Sequence, residues 1–112
     1  MAVEFFFEEE GIFITELSNS SDDPGLSIAQ ARVPSGVTTT WHRLANTIER
    51  YCILSGSGIV EIGEAPPMSV GVGDVLIIQP MERQRITNRC KEDLLFLAIC
   101  TPRFEMSNYQ QC

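Results

Sequence analysis

The chain is poor in basic charge: 7 arginines and one lysine stand against 15 acidic residues, for a formal net charge of -7 over 112 residues. Nucleic acid and anionic membrane are excluded as natural partners, because both are polyanions and need a basic face. Histidine is scarcer still, with His42 alone, so a multi-histidine metal centre cannot be assembled from one chain. The four cysteines, Cys52, Cys90, Cys100 and Cys112, contain no Cys-x-x-Cys pair, which excludes a zinc ribbon or a thioredoxin-type site and leaves four free thiols in a reducing compartment. No run is long and apolar enough for a membrane span, and Met1 to Glu10 carries acids where a secretory signal needs positive charge, so a cytoplasmic location is expected. What remains is an ordinary globular composition, 44% hydrophobic and 21% charged. A single domain over residues 1–112 follows, able to bury roughly two-thirds of the surface its unfolded chain exposes.

The periodicity is that of strands. Short apolar or alternating runs are cut about every ten residues by Gly, Pro, Asn and Asp, the spacing of closed or sandwiched all-β folds. Strands are expected over Phe5–Glu8, Ile12–Leu17, Leu26–Val33, Val37–His42, Glu49–Leu54, Gly58–Ile62, Met68–Gly71, Val75–Ile78, Arg83–Asn88 and Leu94–Cys100. Turn chemistry separates them, as in Asp22-Asp23-Pro24-Gly25 and Ser55-Gly56-Ser57-Gly58, and implies antiparallel neighbours. Residues 102–112 have no regular period and read as a surface tail docked through Phe104, and Glu8-Glu9-Glu10 reads as a solvated turn.

Glycines bracket two segments of regular internal order. In the first, Gly36, five residues, His42, six residues, Glu49, six residues and Gly56 follow one another; in the second, Gly73 is followed after five residues by Gln79, then by Gln84 and Asn88. Alternate strand residues share a face, so His42 and Leu44 point one way, as do Glu49, Tyr51 and Ile53, and Gln84, Ile86 and Asn88. Trp41, Arg43, Arg50, Arg83 and Arg85 then fall on the opposite face, as a surface or subunit interface; the minority reading has the arginines bind a phosphate or carboxylate at the barrel mouth. Cys52 is expected to be a buried structural thiol facing away from Glu49.

This order resembles the two motifs of the cupin superfamily, G-x5-H-x-H-x4-E-x6-G and G-x5-P-x-G-x2-H-x3-N. Gly36, His42, Glu49 and Gly56 fall on the first without a gap, with Leu44 at its second histidine; Gly73 and Asn88 fit the ends of the second, while Gln79, Met81 and Gln84 replace its proline, glycine and histidine. The resemblance covers residues 33–101. It implies an all-β double-stranded β-helix, a jelly-roll barrel, of the small single-domain bacterial type called mannose-6-phosphate-isomerase-like. It also implies a ligand set of His42, Glu49 and Gln84 for a divalent Fe, Mn, Ni or Zn ion. Two imidazoles short, that set holds a metal weakly or not at all, unless Tyr51, Cys100 or a substrate atom replaces them.

A lone strand histidine is more often a satisfied core or surface residue than a ligand. A carboxylate facing the interior at Glu49 is harder to dismiss, since it must pair or hydrogen-bond. The resemblance therefore implies a cupin that binds a small polar metabolite in a pocket of His42, Glu49, Gln84, Tyr51 and Leu44. Its chemistry would be an isomerase, epimerase or lyase step on a hydroxy or keto compound, with Glu49 as base and His42 as acid or ligand. The rival is a non-catalytic ligand-binding or structural cupin that has lost its metal. Phe5-Phe6-Phe7 is apolar on both faces, and pairing with a second copy in a homodimer would cover it; a monomer mass by light scattering would remove that expectation.

Overall fold

A computed structural model describes residues 2–112. The strands are β1 (Phe5–Phe7), β2 (Ile12–Ser18), β3 (Ser27–Val33), β4 (His42–Leu44), β5 (Ile48–Ser55), β6 (Ser57–Ile62), β7 (Met68–Gly71), β8 (Val75–Ile78), β9 (Gln84–Thr87), β10 (Leu94–Thr101) and β11 (Tyr109–Gln111), with one 3-10 turn at Met106–Asn108. All pair antiparallel, in a six-stranded sheet of order β1-β2-β3-β10-β5-β8 and a five-stranded sheet of order β11-β4-β9-β6-β7. Neighbours distant in sequence, such as β3 with β10 and β4 with β9, make this a jelly roll.

The inward faces of the two sheets form the core. Ile12, Val33, Ile53 and Leu94 of the larger sheet meet Val60 and Ile86 of the smaller one, all fully buried. Each such side chain contributes roughly 1.5–3 kcal/mol through burial. Gly56 joins β5 to β6 at φ +81°, and a Cβ there would sit 2.7 Å from the Asp93 carbonyl oxygen, so no other residue fits without moving the chain. Met81 stands where the cupin motif has glycine and keeps a left-handed φ of +67°, its side chain in solvent.

Two expectations need correction. The segment 37–41 is not a continuous strand: it meets β9 through a bridge from Thr38 to Thr87, and the Thr39 hydroxyl, not a main-chain carbonyl, accepts the Ile86 N–H at 2.9 Å. The tail is not featureless, because β11 adds to β4 and extends the smaller sheet. The Phe5-Phe6-Phe7 run is indeed apolar on both sides: Phe6, exposed, packs edge-on against Phe13, while Phe5 and Phe7 line a cavity open to solvent.

Trp41, Arg83 and Arg85 do lie outside. Both guanidinium groups cover the Trp41 ring, at 4.4 and 4.5 Å from its centroid, and Arg85 pairs with Glu61 at 2.7 Å. Cys52 is half-buried on the outward side of β5.

Candidate functional site

His42, Glu49, Tyr51 and Gln84 come together in the interior, as the strand alternation requires. His42 and Gln84 are directly opposed where β4 meets β9, and the Gln84 side chain crosses to the other sheet, its Nε2 donating to Glu49 Oε1 at 2.7 Å. Gln84 Oε1 accepts from the Tyr51 hydroxyl, so the amide is held at both ends and its orientation is fixed. The second Glu49 oxygen faces the Cys100 thiol at 3.8 Å. Tyr51 is backed by the Phe96 ring, 4.3 Å between centroids. Leu44 shares the inward side of β4 and is buried opposite Tyr109 of β11.

His42 is 2% exposed. Its Nδ1 donates to the Thr40 carbonyl oxygen at 2.7 Å. A carbonyl only accepts, so the neutral ring carries its hydrogen on Nδ1 and leaves a lone pair on Nε2. Burial lowers the His42 pKa, opposed in part by the Thr40 bond, which favours this neutral form. The ring stacks on Tyr109, 5.3 Å between centroids and 16° from parallel. Within 3.5 Å of Nε2 lies Oε2 of Glu10, a residue read from the sequence as part of a solvated turn.

The Glu10 side chain is only 12% exposed. The turn after β1 closes through Glu10 and Gly11 N–H groups donating to the Phe7 carbonyl, and Gly11, at φ +75°, supplies the left-handed step. A usable signal existed in the sequence. Glu10 has the parity of Ile12, Ile14 and Glu16, so alternation carried back through the turn puts it on the inner face.

The two carboxyl groups end a cavity of about 230 Å³, open to solvent at its mouth. Its walls are apolar, with Phe5, Phe7, Ile14, Ile28, Ala98 and Phe104 among them. Phe104 is held there by its N–H donating to Ser27 Oγ at 2.8 Å. Of the five residues expected to form the pocket, Glu49 borders the cavity; Gln84 and Tyr51 stand behind it as hydrogen-bonding support, His42 stands behind Glu10, and Leu44 lies away from the lining.

Burial pushes the Glu49 carboxyl up to about 7, against the lowering effect of the Gln84 and Cys100 bonds. Glu10 is raised well above the carboxylate range, first by burial, then by the charges of Glu49 and Glu9. Burial and the Glu49 charge likewise raise Tyr51 and Cys100, which stay protonated. The site thus contains two interacting carboxyl groups, Glu49 raised to about 7 and Glu10 pushed toward its acid form by burial, beside a neutral imidazole.

The donor set does not fit a divalent metal. The Gln84 oxygen is occupied by Tyr51 and its amide nitrogen faces Glu49, Leu44 offers no donor, and His42 Nε2 is turned to Glu10. Among the described residues no group of three or more His, Cys, Asp or Glu side chains is placed to hold a metal ion. No helix among them is long and apolar enough to cross a membrane.

No protein-family profile matches the chain, and no curated protein matches it in sequence. Solved structures do match it in fold. A cupin-2 domain protein from Rhodospirillum rubrum superimposes with a TM-score of 0.82 at 19% identity, over 99% of this chain and 75% of that one. The Streptomyces protein Pac13, described as a nucleoside dehydratase and solved as single-residue variants with uridine, gives 0.81 at 16% identity, over 99% of this chain and 84% of its own. KdgF from Halomonas sp. gives 0.78 at 18% identity, over 91% and 89%. The fold is therefore the double-stranded β-helix of cupin domains.

Proposed function

We propose that the chain binds a small hydroxy or keto compound in this cavity and moves a proton at carbon, in an isomerase, epimerase or lyase step. The observation that carries the reading is Glu49: a buried carboxyl at the end of a cavity, held by Gln84 and raised to about 7. A general base works best with a pKa near the working pH. In the proposed step Glu49 takes the proton from a carbon beside a carbonyl, while the Glu10 carboxylic acid protonates the carbonyl oxygen, giving an enol. Return of a proton to the opposite face of the same carbon epimerises, and delivery to the neighbouring carbon, with the α-hydroxyl giving up its proton to become the new carbonyl, isomerises. In the lyase variant the enol oxygen gives its proton back to Glu10 as the carbonyl re-forms, and Glu10 passes it to a departing β-hydroxyl, which leaves as water. The His42 Nε2 lone pair faces the Glu10 carboxyl and accepts from its acid form, which orients that acid; Glu10 regains its proton from the enol oxygen, or from solvent after elimination. Pac13, described as a dehydratase, has the same fold, which makes the lyase variant consistent with it.

The second reading is a non-catalytic binder, favoured by Leu44 and by the engaged amide of Gln84. Proton NMR in deuterated water separates the two. Hydroxyketones incubated with the protein should take up solvent deuterium at the α-carbon, and Glu49→Gln should slow this by about 100-fold or more. Binding without exchange would leave the binder. The reading includes a homodimer that covers the free edge of β1 and the exposed Phe6, and a cytoplasmic location suited to four free thiols.

A further inference from the structure

The lining of the cavity restricts what can enter it. Among the described residues its charged groups are Glu10, Glu16 and Glu49, and no arginine, lysine or histidine borders it. The bases nearby are engaged elsewhere. His42 gives its N–H to Thr40 and turns Nε2 to Glu10. Arg103, next to the lining residue Phe104, donates to Asn19 Oδ1 at 3.0 Å and to Glu105 at 2.8 Å. Arg83 and Arg85 lie on the outer face over Trp41.

A phosphate or carboxylate entering this space would leave water, gain no cation, and meet Glu10 and Glu49 where charge is weakly screened. A hydroxyl or carbonyl group meets no such penalty. A carboxylate accepts from it and a carboxylic acid donates to it, and the pair at the cavity end offers both. The rest of the ligand must be apolar, since Phe5, Phe7 and Phe104 surround it. A dry cavity of about 150 Å³ accommodates benzene, so the present volume of about 230 Å³ takes roughly ten non-hydrogen atoms.

We infer, resting on the reading of this cavity as the substrate site, that the substrate is an uncharged hydroxy or keto compound with an aromatic or branched apolar body. Phosphorylated and carboxylated compounds of the same size are excluded by Glu10 and Glu49. The sugar-phosphate class that the sequence resemblance implies is thereby set aside for this chain.

Three probes that share a phenyl body and differ in the head group, with glycerol phosphate as the phosphorylated comparison, test this. Nitrogen-15-labelled protein at pH 7 is titrated with phenylethanediol, phenacyl alcohol, mandelate and glycerol phosphate, following the amides of Ala29, Ala98 and Cys100. The diol and the ketone should shift these amides, mandelate should bind at least about tenfold more weakly, and glycerol phosphate should leave them unmoved. Glu49→Gln should narrow the gap between diol and mandelate by about tenfold. Mandelate or glycerol phosphate shifting the same amides as tightly as the diol would overturn the inference and leave the cavity as the site. Silence of these amides with every probe at millimolar concentration would overturn both.

Discussion

Glu49→Gln should make the protein more stable at pH 8 and no more stable at pH 4.5. The Glu49 carboxyl is raised from an ordinary value of 4.5 to about 7. Between those values the native chain keeps a proton that the unfolded chain releases. Stability is therefore fully present below the unfolded value and falls as pH rises through the folded one. At one pKa unit per about 1.4 kcal/mol, the loss above neutrality is about 3 kcal/mol. Glutamine has no proton to lose, and its amide oxygen still accepts from Gln84. Removing the charge also relieves Glu10, which Glu49 raises. Urea unfolding at the two pH values should give a difference of about 3 kcal/mol at pH 8, a shift in Tm on the order of 10 °C. Combined with loss of proton transfer, such a gain would mark Glu49 as a residue whose burial costs stability and supplies reactivity. A variant less stable than the natural chain at pH 8 would mean that the carboxylate is a net structural asset.

Asn88→Ala should destabilise the fold by about 3–5 kcal/mol. Asn88 is fully buried, and its Nδ2 donates to the carbonyls of Val33 at 2.9 Å and Glu92 at 2.8 Å while its Oδ1 accepts from the Cys90 N–H at 2.9 Å. Its main chain adds bonds to Gly36 and Val37. One side chain thus joins the end of β9 to β3 and to the loop before β10. Alanine leaves two carbonyls and one N–H without partners, each costing about 1–3 kcal/mol if it stays dry. Domains of this size hold about 5–15 kcal/mol in total, so the variant should lose much of its margin. Chemical denaturation measures the loss, and a change below about 1 kcal/mol would show that water replaces the amide.

The two substitutions separate what the motif spacing encodes. Gly56 and Asn88 answer local demands of the backbone, a left-handed turn against Asp93 and the closure of a loop, and such demands recur at fixed intervals that can be read along a chain. His42, Glu49 and Gln84 were legible for a related reason: period-two alternation turns each inward, and β4, β5 and β9 then bring them together. The strands were legible where one face is buried. Segment 37–41 was not, because a threonine hydroxyl replaces a ladder carbonyl there. β11 was not, because its three residues have little apolar character and no local pattern, and their strand is defined by its pairing with β4. Glu10 was obscured by its neighbours: Glu8 is exposed as an acidic turn should be, while the turn through Gly11 brings the third carboxyl of the run to His42.

The most direct measurement is the titration of the Glu49 carboxyl itself, by infrared difference spectroscopy of the natural chain against Glu49→Gln across the pH range. The protonated carbonyl band assigned to Glu49 should disappear with a midpoint near 7. Disappearance near the ordinary value of 4.5 would mean that the group is solvated, and would contradict its assignment as the base at the end of the cavity.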